Sequence, residues 1–376
     1  MSPAVACMLF DRLLKSASHR RSGNSILKSK KKRREVSQTY WAAEQRRETE
    51  SAVQPEIRHN LIQQHGDFSL AYSLVVQPRL KYFGDDRGFI AFRKRWGITF
   101  VLGDVVTSPD QIEPLIERFL SEHKRAVFCQ ASQQLARRLV DRGFYANEMG
   151  VDTTIDLADY NFNGKQKEWL RYAANWCARR DYRIVEASFD EVHPDEVENV
   201  SEAWRKTRTV KQKEVRFLNR PIVLEDEPNV RKFFFYTPDD QLQALVFLDP
   251  IYRDGQLIGF VTCIKRRHPD APIYSEQAIM KHIIEKLQSE GLSELKLGLS
   301  PLAWIDDDQL KNSAMTSRLF KYSFQSSLVN RFAYHLKGHA EYKRRFRGRE
   351  EKLYLCSQRG FSPFRLLALV GVCGIA

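Results

Sequence analysis

The sequence predicts an α/β (α+β) protein of two similar domains in tandem, each a mixed, mostly antiparallel sheet covered by helices. Three observations predict it. The 376 residues are long for one domain, and 43% of them are hydrophobic, enough for two ordinary cores. A succession of hairpin, amphipathic helix and strand runs from Gly88 to Leu157 and recurs from Leu242 to Leu299. Charge is concentrated outside these segments: residues 1–50 hold 12 Lys+Arg against 5 Asp+Glu and residues 331–376 hold 10 against 3, which leaves a nearly neutral body.

The first succession opens with Gly88–Phe92 and Ile98–Leu102, short β-branched and aromatic runs around a charged turn. Ser108-Pro109-Asp110-Gln111 then offers a helix N-cap with proline at the first helical position, although Pro114 favours a later start. Ile112, Leu115, Ile116, Phe119 and Leu120 form that helix's apolar stripe. A strand at Val127–Cys129, a helix from Gln133 to Arg142 stopped by Gly143, and a strand at Val151–Leu157 follow. Lys165 to Arg180 reads as a connecting helix, with Trp169, Leu170, Ala173 and Trp176 on one side. In the second succession Leu242–Leu248 and Leu257–Ile264 pair across Arg253-Asp254-Gly255. A helix from Ser275 to Glu290 closed by Gly291 and a strand at Leu295–Leu299 complete it. The expected division is a basic, disordered arm at 1–50, domains at 51–185 and 186–357, and a basic, apolar tail at 358–376.

Composition narrows the chemistry. Cysteines at 7, 129, 177, 263, 356 and 373 form no CxxC pair and no zinc-spaced cluster, which reads as reduced thiols in a cytosolic compartment. His335 and His339 share a helical face without a third ligand, so no metal is expected. No run reaches the ~20 apolar residues of a spanning helix, and Met1–Phe10 lacks the basic leader of a secretory signal. The basic ends suit phosphate polymers or an anionic leaflet, or simply a solvated arm. The run Leu366–Val372 beside Arg359 and Arg365 either dips into a membrane interface or packs on the body.

Short motifs in a fixed order carry a resemblance. Gly66-Asp67-Phe68, Phe89-Ile90-Ala91-Phe92, Leu102-Gly103-Asp104, Gly150–Leu157 and Asn163-Gly164-Lys165 are followed by Val200-Ser201-Glu202-Ala203-Trp204, Phe217 and Arg220. Leu297-Gly298-Leu299-Ser300-Pro301-Leu302, Lys337-Gly338, Tyr342-Lys343 and Phe346 complete the order. Over about residues 60–357 this resembles the catalytic domain of bacterial phosphatidylglycerol lysyltransferases. The resemblance implies two tandem GNAT-like acyltransferase domains that move an amino acid from aminoacyl-tRNA, the donor substrate, to a lipid hydroxyl without a cofactor. Members often carry a multi-span flippase module, of which the sequence shows no trace, so the implied partners are charged tRNA and an anionic lipid of the cytosolic leaflet. The implied location is cytoplasmic and peripheral to the membrane. The family's strand after the second hairpin carries an Asp and, three residues on, an Arg. Here Arg266 keeps the Arg and Cys263 replaces the Asp, which bears on lysine specificity.

Residue chemistry supplies candidates. Lys265, Arg266 and Arg267 end an apolar strand and either meet a phosphate or face solvent; Arg266 also matches the family. Arg220 either clamps a phosphate or forms a structural ion pair. Asp249, before Pro250, is a candidate proton acceptor or an ordinary turn former, and Asp104 sits at a similar strand end. Ser300 offers a hydroxyl to substrate. Tyr342, Lys343, Arg344, Arg345 and Arg347 suit an RNA backbone or acidic headgroups, or an exposed cationic helix. Between Arg266 and Ser275 two prolines remove N–H donors that a coenzyme A pyrophosphate would need, which disfavours an acyl-CoA-dependent enzyme. The remaining alternative is a non-catalytic RNA- or membrane-binding relative, for which Cys263 is the support.

Overall fold

The structure, a computed structural model, describes residues 53–207, 216–332, 335–360 and 362–374. The basic arm expected at 1–50 lies outside them. The order is α1 (Pro55–His65), α2 (Ala71–Val76), β1 (Lys81–Asp85), β2 (Gly88–Arg95), β3 (Ile98–Leu102), β4 (Val106–Thr107), α3 (Ile112–Glu122), β5 (Ala126–Ala131), α4 (Gln133–Asp141) and β6 (Tyr145–Asp156). Then come α5 (Glu168–Ala178), β7 (Arg183–Glu186), α6 (Pro194–Lys206), β8 (Arg231–Tyr236), β9 (Leu242–Arg253), β10 (Gln256–Arg267), α7 (Ser275–Ser289) and β11 (Glu294–Pro301). The last are α8 (Ala314–Gln325), α9 (Ser327–Phe332), α10 (Leu336–Arg344), β12 (Arg349–Ser357) and α11 (Pro363–Val372).

Local chemistry explains most boundaries. Helix α3 starts at Ile112, because Ser108 to Gln111 closes a turn of its own through Gln111 N–H to the Ser108 carbonyl at 3.0 Å. The Ser132 hydroxyl caps α4 by accepting from Leu135 N–H, and Gly143 takes the left-handed conformation just beyond it. Asp254 and Gly255, at φ 50° and 79°, make the primed turn that joins β9 to β10 with the twist a hairpin requires. Strand β6 begins at Tyr145, earlier than its apolar run suggests. The connecting helix starts at Glu168 after a short 3-10 turn.

All the strands join one twelve-stranded sheet in the order β1-β2-β3-β5-β12-β6-β11-β10-β9-β8-β7, with β4 on the flank of β2. Each half is an antiparallel meander followed by a helix and a strand that returns parallel: β3 with β5, and β10 with β11. The halves exchange their closing strands. β6, from the first half, lies against β11 of the second, and β12, from the end of the chain, lies between β5 and β6. A division of the sequence at 185/186 therefore does not divide the sheet. On one face a common core spans both halves, with Phe100, Leu102 and Val127 meeting Phe234, Leu245 and Ile264 beneath α1, α2, α6 and α11. On the other face α3 and α4 cover the first half, and α5 and α7 cover the second.

Deleting residues 349–374 strips a hydrogen-bonded neighbour from both β5 and β6. Amide hydrogen exchange in β5 is expected to accelerate toward the unfolded rate. Retained protection at Phe128 and Cys129 would show that the first half closes its sheet without β12.

Candidate active site

β10 and β11 run parallel only where Gly259–Val261 face Glu294–Lys296. Both strands are irregular beyond that point. β10 shifts register against β9 between Thr262 and Ile264, at Cys263, and β11 shifts against β6 between Lys296 and Leu299, where Gly298 takes φ 75°. The Thr262 hydroxyl donates to the Leu297 carbonyl at 3.2 Å and marks the last bridge before the strands part.

Helix α10 fills this parting with Lys343. Its Nζ donates to the carbonyls of Gly298 and Leu299, both at 2.8 Å. Burial, then the nearby Lys265 charge, pull the Lys343 pKa down to about 7, against an opposing pull from Asp152. A neutral amine fits this seat. Its two hydrogens satisfy the two carbonyls, and its lone pair is left over. Lys265 lies over the Tyr342 ring at 4.7 Å, its pKa also lowered by burial, and the buried Tyr342 hydroxyl has no hydrogen-bond partner among the described residues. Lys265, distant in sequence, thus joins Tyr342 and Lys343 in one cluster.

Arg220 and Asp249 form another. The guanidinium is 2% exposed and the carboxylate 1%, and they meet bidentately, Nε to Oδ2 at 3.0 Å and Nη2 to Oδ1 at 2.6 Å. Arg220 Nη1 holds both oxygens of Glu227, at 2.9 and 2.8 Å, and the Cys263 sulfur lies 3.7 Å from Nη2. Burial opposes the Arg220 charge, but the Asp249 and Glu227 carboxylates outweigh it and raise its pKa well above the usual value. Burial, and secondarily the Asp249 charge, push the Cys263 thiol far up, so it sits beside the pair as a neutral group. This corrects the reading of Asp249 as a proton acceptor. Both its oxygens are taken by a buried cation, and β9 does not end there but runs on to Arg253. Pro250 is tolerated because β8 pairs with β9 only as far as Leu248, which leaves no partner there for the missing N–H. Arg220, equally, takes the ion-pair alternative, with Nε, Nη1 and Nη2 all engaged by carboxylates.

The other candidates divide. Arg266 lies over Trp204 of α6, 3.7 Å from the ring centroid, a cation–π contact that orients the guanidinium at the end of β10. Arg267 turns back on its own loop, toward the carbonyls of Ala271 and Pro272 and 3.9 Å from Glu276, so it braces the loop rather than awaiting a phosphate. Ser300 is fully buried two residues beyond Gly298, and its hydroxyl has no partner among the described residues. Asp104 accepts from Ser132 N–H at 2.8 Å and so anchors the start of α4. Arg344 lies over Trp304 and Arg345 over Trp169, each stacked on the body rather than held free.

Residue chemistry missed the contribution of the α1–α2 loop. Asp67 bonds Arg253 at 2.7 Å and lies 3.8 Å from Lys296, and the Ser69 hydroxyl donates to Asp152 on β6. Asp152 stands opposite Leu299, whose carbonyl holds Lys343. The signal existed: Asp67 and Asp152 both fall inside segments that carry the resemblance, yet nothing local gave either a chemical role.

Two successive units, each a meander with a parallel returning strand and a cleft where the parallel pair parts, define an acyltransferase fold of the tandem GNAT-like kind. Residues 59–357 match the family described as phosphatidylglycerol lysyltransferase, C-terminal, and the chain belongs to that family. L-PGS from Bacillus licheniformis superposes with a TM-score of 0.70 at 18% identity, over 86% of this chain and 98% of that one. The C-terminal domain of a putative lysylphosphatidylglycerol synthetase from Agrobacterium fabrum gives 0.69 at 21% identity, over 86% and 98%. FemX shares the fold more distantly, at 0.53 and 8% identity, over 85% and 98%. An uncharacterised protein of Corynebacterium glutamicum is 19% identical over 218 residues, 55% of this chain but 26% of that protein, so this chain spans about a quarter of the length of that relative.

Arg220→Met leaves Asp249 and Glu227 as adjacent buried carboxylates. It is expected to cost about 3–5 kcal/mol of stability, read by urea unfolding. A loss below about 1 kcal/mol would mean that the pair contributes no more than an exposed one.

Proposed function

We propose that this chain transfers an amino acid from aminoacyl-tRNA to a hydroxyl of a phosphatidylglycerol-like lipid, with Lys343 as the proton carrier. Family membership supports the donor and acceptor classes. The observation that carries the chemistry is the buried Lys343 amine, held by the Gly298 and Leu299 carbonyls where β10 and β11 part.

The donor ester is already activated, so alignment and proton transfer are the main tasks. The lipid oxygen attacks the ester carbonyl as its proton passes to the Lys343 lone pair. The tetrahedral oxyanion then collapses, the bond to the tRNA ribose oxygen breaks, and that oxygen takes the proton back from the Lys343 ammonium. To Arg266 we assign a phosphate of the tRNA terminus or the lipid headgroup, a reading that its orientation by Trp204 supports. Ser300 and Tyr342 offer unengaged hydroxyls near the same gap. No cofactor is needed. The turn before α7 supports this against acyl-CoA, since Pro272 has no N–H and the Arg267 donor is already spent on the carbonyls of that turn. Cys263 supplies no negative charge to hold a cationic side chain, which supports an uncharged amino acid as the transferred group. A charged-tRNA donor sets the reaction on the cytoplasmic side, at the inner leaflet.

Radiolabel from a pool of charged tRNAs is expected in the lipid extract, with RNase abolishing it. Charged tRNA that binds without turnover would instead leave a non-catalytic relative. Lys343→Ala is expected to lower the transfer rate by about 10²–10⁴-fold. The wild-type rate is expected to rise as pH increases through about 7, because the acting form is the deprotonated one and the fold depresses its pKa to that value. A rate flat from pH 6 to 8, or full activity in Lys343→Ala, would remove Lys343 from the chemistry.

A further inference from the structure

Helix α11 lies beyond the family match, which ends at residue 357. Its inner side is accounted for, since Leu366, Ala368, Leu369 and Val372 belong to or pack on the common core. Phe364, Leu367 and Val370 recur three apart on the helix and belong to no core cluster among the described residues. Phe364 is 53% exposed and stacks on Trp96, itself 50% exposed, with centroids 5.2 Å apart.

Trp96 is at the tip of the β2–β3 hairpin, at φ 50° and followed by Gly97 at 72°. Such a primed turn favours Asn or Gly at both positions, so local folding gains nothing from a bulky ring there. The hairpin and the helix are fastened together, because Arg95 donates to the Gly371 carbonyl and Arg93 to that of Val372, each at 3.2 Å. Arg95 also lies 5.0 Å from the Trp96 ring. The two segments that form the patch carry charge of one sign. Residues 88–103 and 359–376 contain no Asp or Glu, whereas Arg95 lies against the Trp96 ring, Arg125 stands beside Gly97, and Arg359 and Arg365 lie in the segment that leads into α11 and in its first turn.

We infer that the Trp96–Phe364 pair, with Leu367 and Val370, is a docking surface for an anionic phospholipid bilayer. The rings and aliphatic side chains enter the boundary between headgroups and acyl chains, and the cations meet the phosphates. An RNA partner would use the cations and the rings but leave Leu367 and Val370 without a role. This inference deepens the proposed function, resting on its reading of the acceptor as a membrane lipid, and names the surface that brings the enzyme to that acceptor.

The test is co-sedimentation of the full chain with vesicles of phosphatidylglycerol and phosphatidylcholine, compared with phosphatidylcholine alone. Binding is expected to need the anionic lipid, and the double variant Trp96→Ser, Phe364→Ser is expected to weaken it on the order of tenfold. Unchanged thermal unfolding controls for folding. As a second measurement, brominated phosphatidylglycerol is expected to quench the protein's fluorescence, and Trp96→Phe to bind normally but lose most of that quenching. Transfer to monomerically dispersed short-chain phosphatidylglycerol is expected to be the same in the double variant and the wild type. Vesicle binding without transfer to any lipid would sink the transferase reading and leave docking intact. Equal vesicle binding by the double variant, or quenching by tRNA and not by vesicles, would overturn the docking surface.

Discussion

The pairing of β6 with β12 at the centre of the sheet is the constraint on which the rest depends. It welds two acyltransferase units into one sheet and fixes β6 against β11, so that Asp152 stands opposite Leu299. The chain then descends from α10 through Phe346 directly into β12, which sets the height of Lys343 over the parting of β10 and β11. The parting of β10 and β11 belongs to the second half, yet its position is set by a strand from the first.

Buried charge is treated in two opposite ways. Around Arg220 the protein keeps it and compensates it with two carboxylates, which immobilises the segment from Phe217 onward against β9. The Arg216 N–H on the Cys373 carbonyl, and the Gln130 amide on the Leu218 carbonyl, secure the same segment from the other side. At Lys343 burial and a neighbouring cation favour the neutral form, which leaves a base where a strand-end carbonyl pair needs two donors. One buried cation is thus fixed in its charged state by carboxylates, and the other is left titratable.

Much of the fold was legible in local sequence. Asp254-Gly255 specified its hairpin, the spacing of Ile279, Ile283 and Leu287 specified α7, and Gly143 and Gly291 specified helix ends. β12 was not legible, since Arg349–Lys352 is a charged run that becomes a strand only because β5 and β6 leave room for it. Asp249 misled for a related reason. A carboxylate before proline reads as a turn, and only the three-dimensional neighbourhood shows a guanidinium from Arg220, 29 positions away, closing over it. Lys343 and Lys265 were identifiable as basic residues in useful places, but the loss of solvation that makes Lys343 a base belongs to the assembled interior, and the chain itself carries no mark of it.

The strand exchange also has a cost in biosynthesis. Synthesis proceeds from the N-terminus, so β5, complete at Ala131, must wait for Ser357 before its missing neighbour has left the ribosome. At cellular elongation rates the wait is on the order of ten seconds or more, far longer than the folding of a hairpin. Throughout that interval the nascent first half presents an unpaired apolar edge, an exposure that lasts until the end of the chain is made.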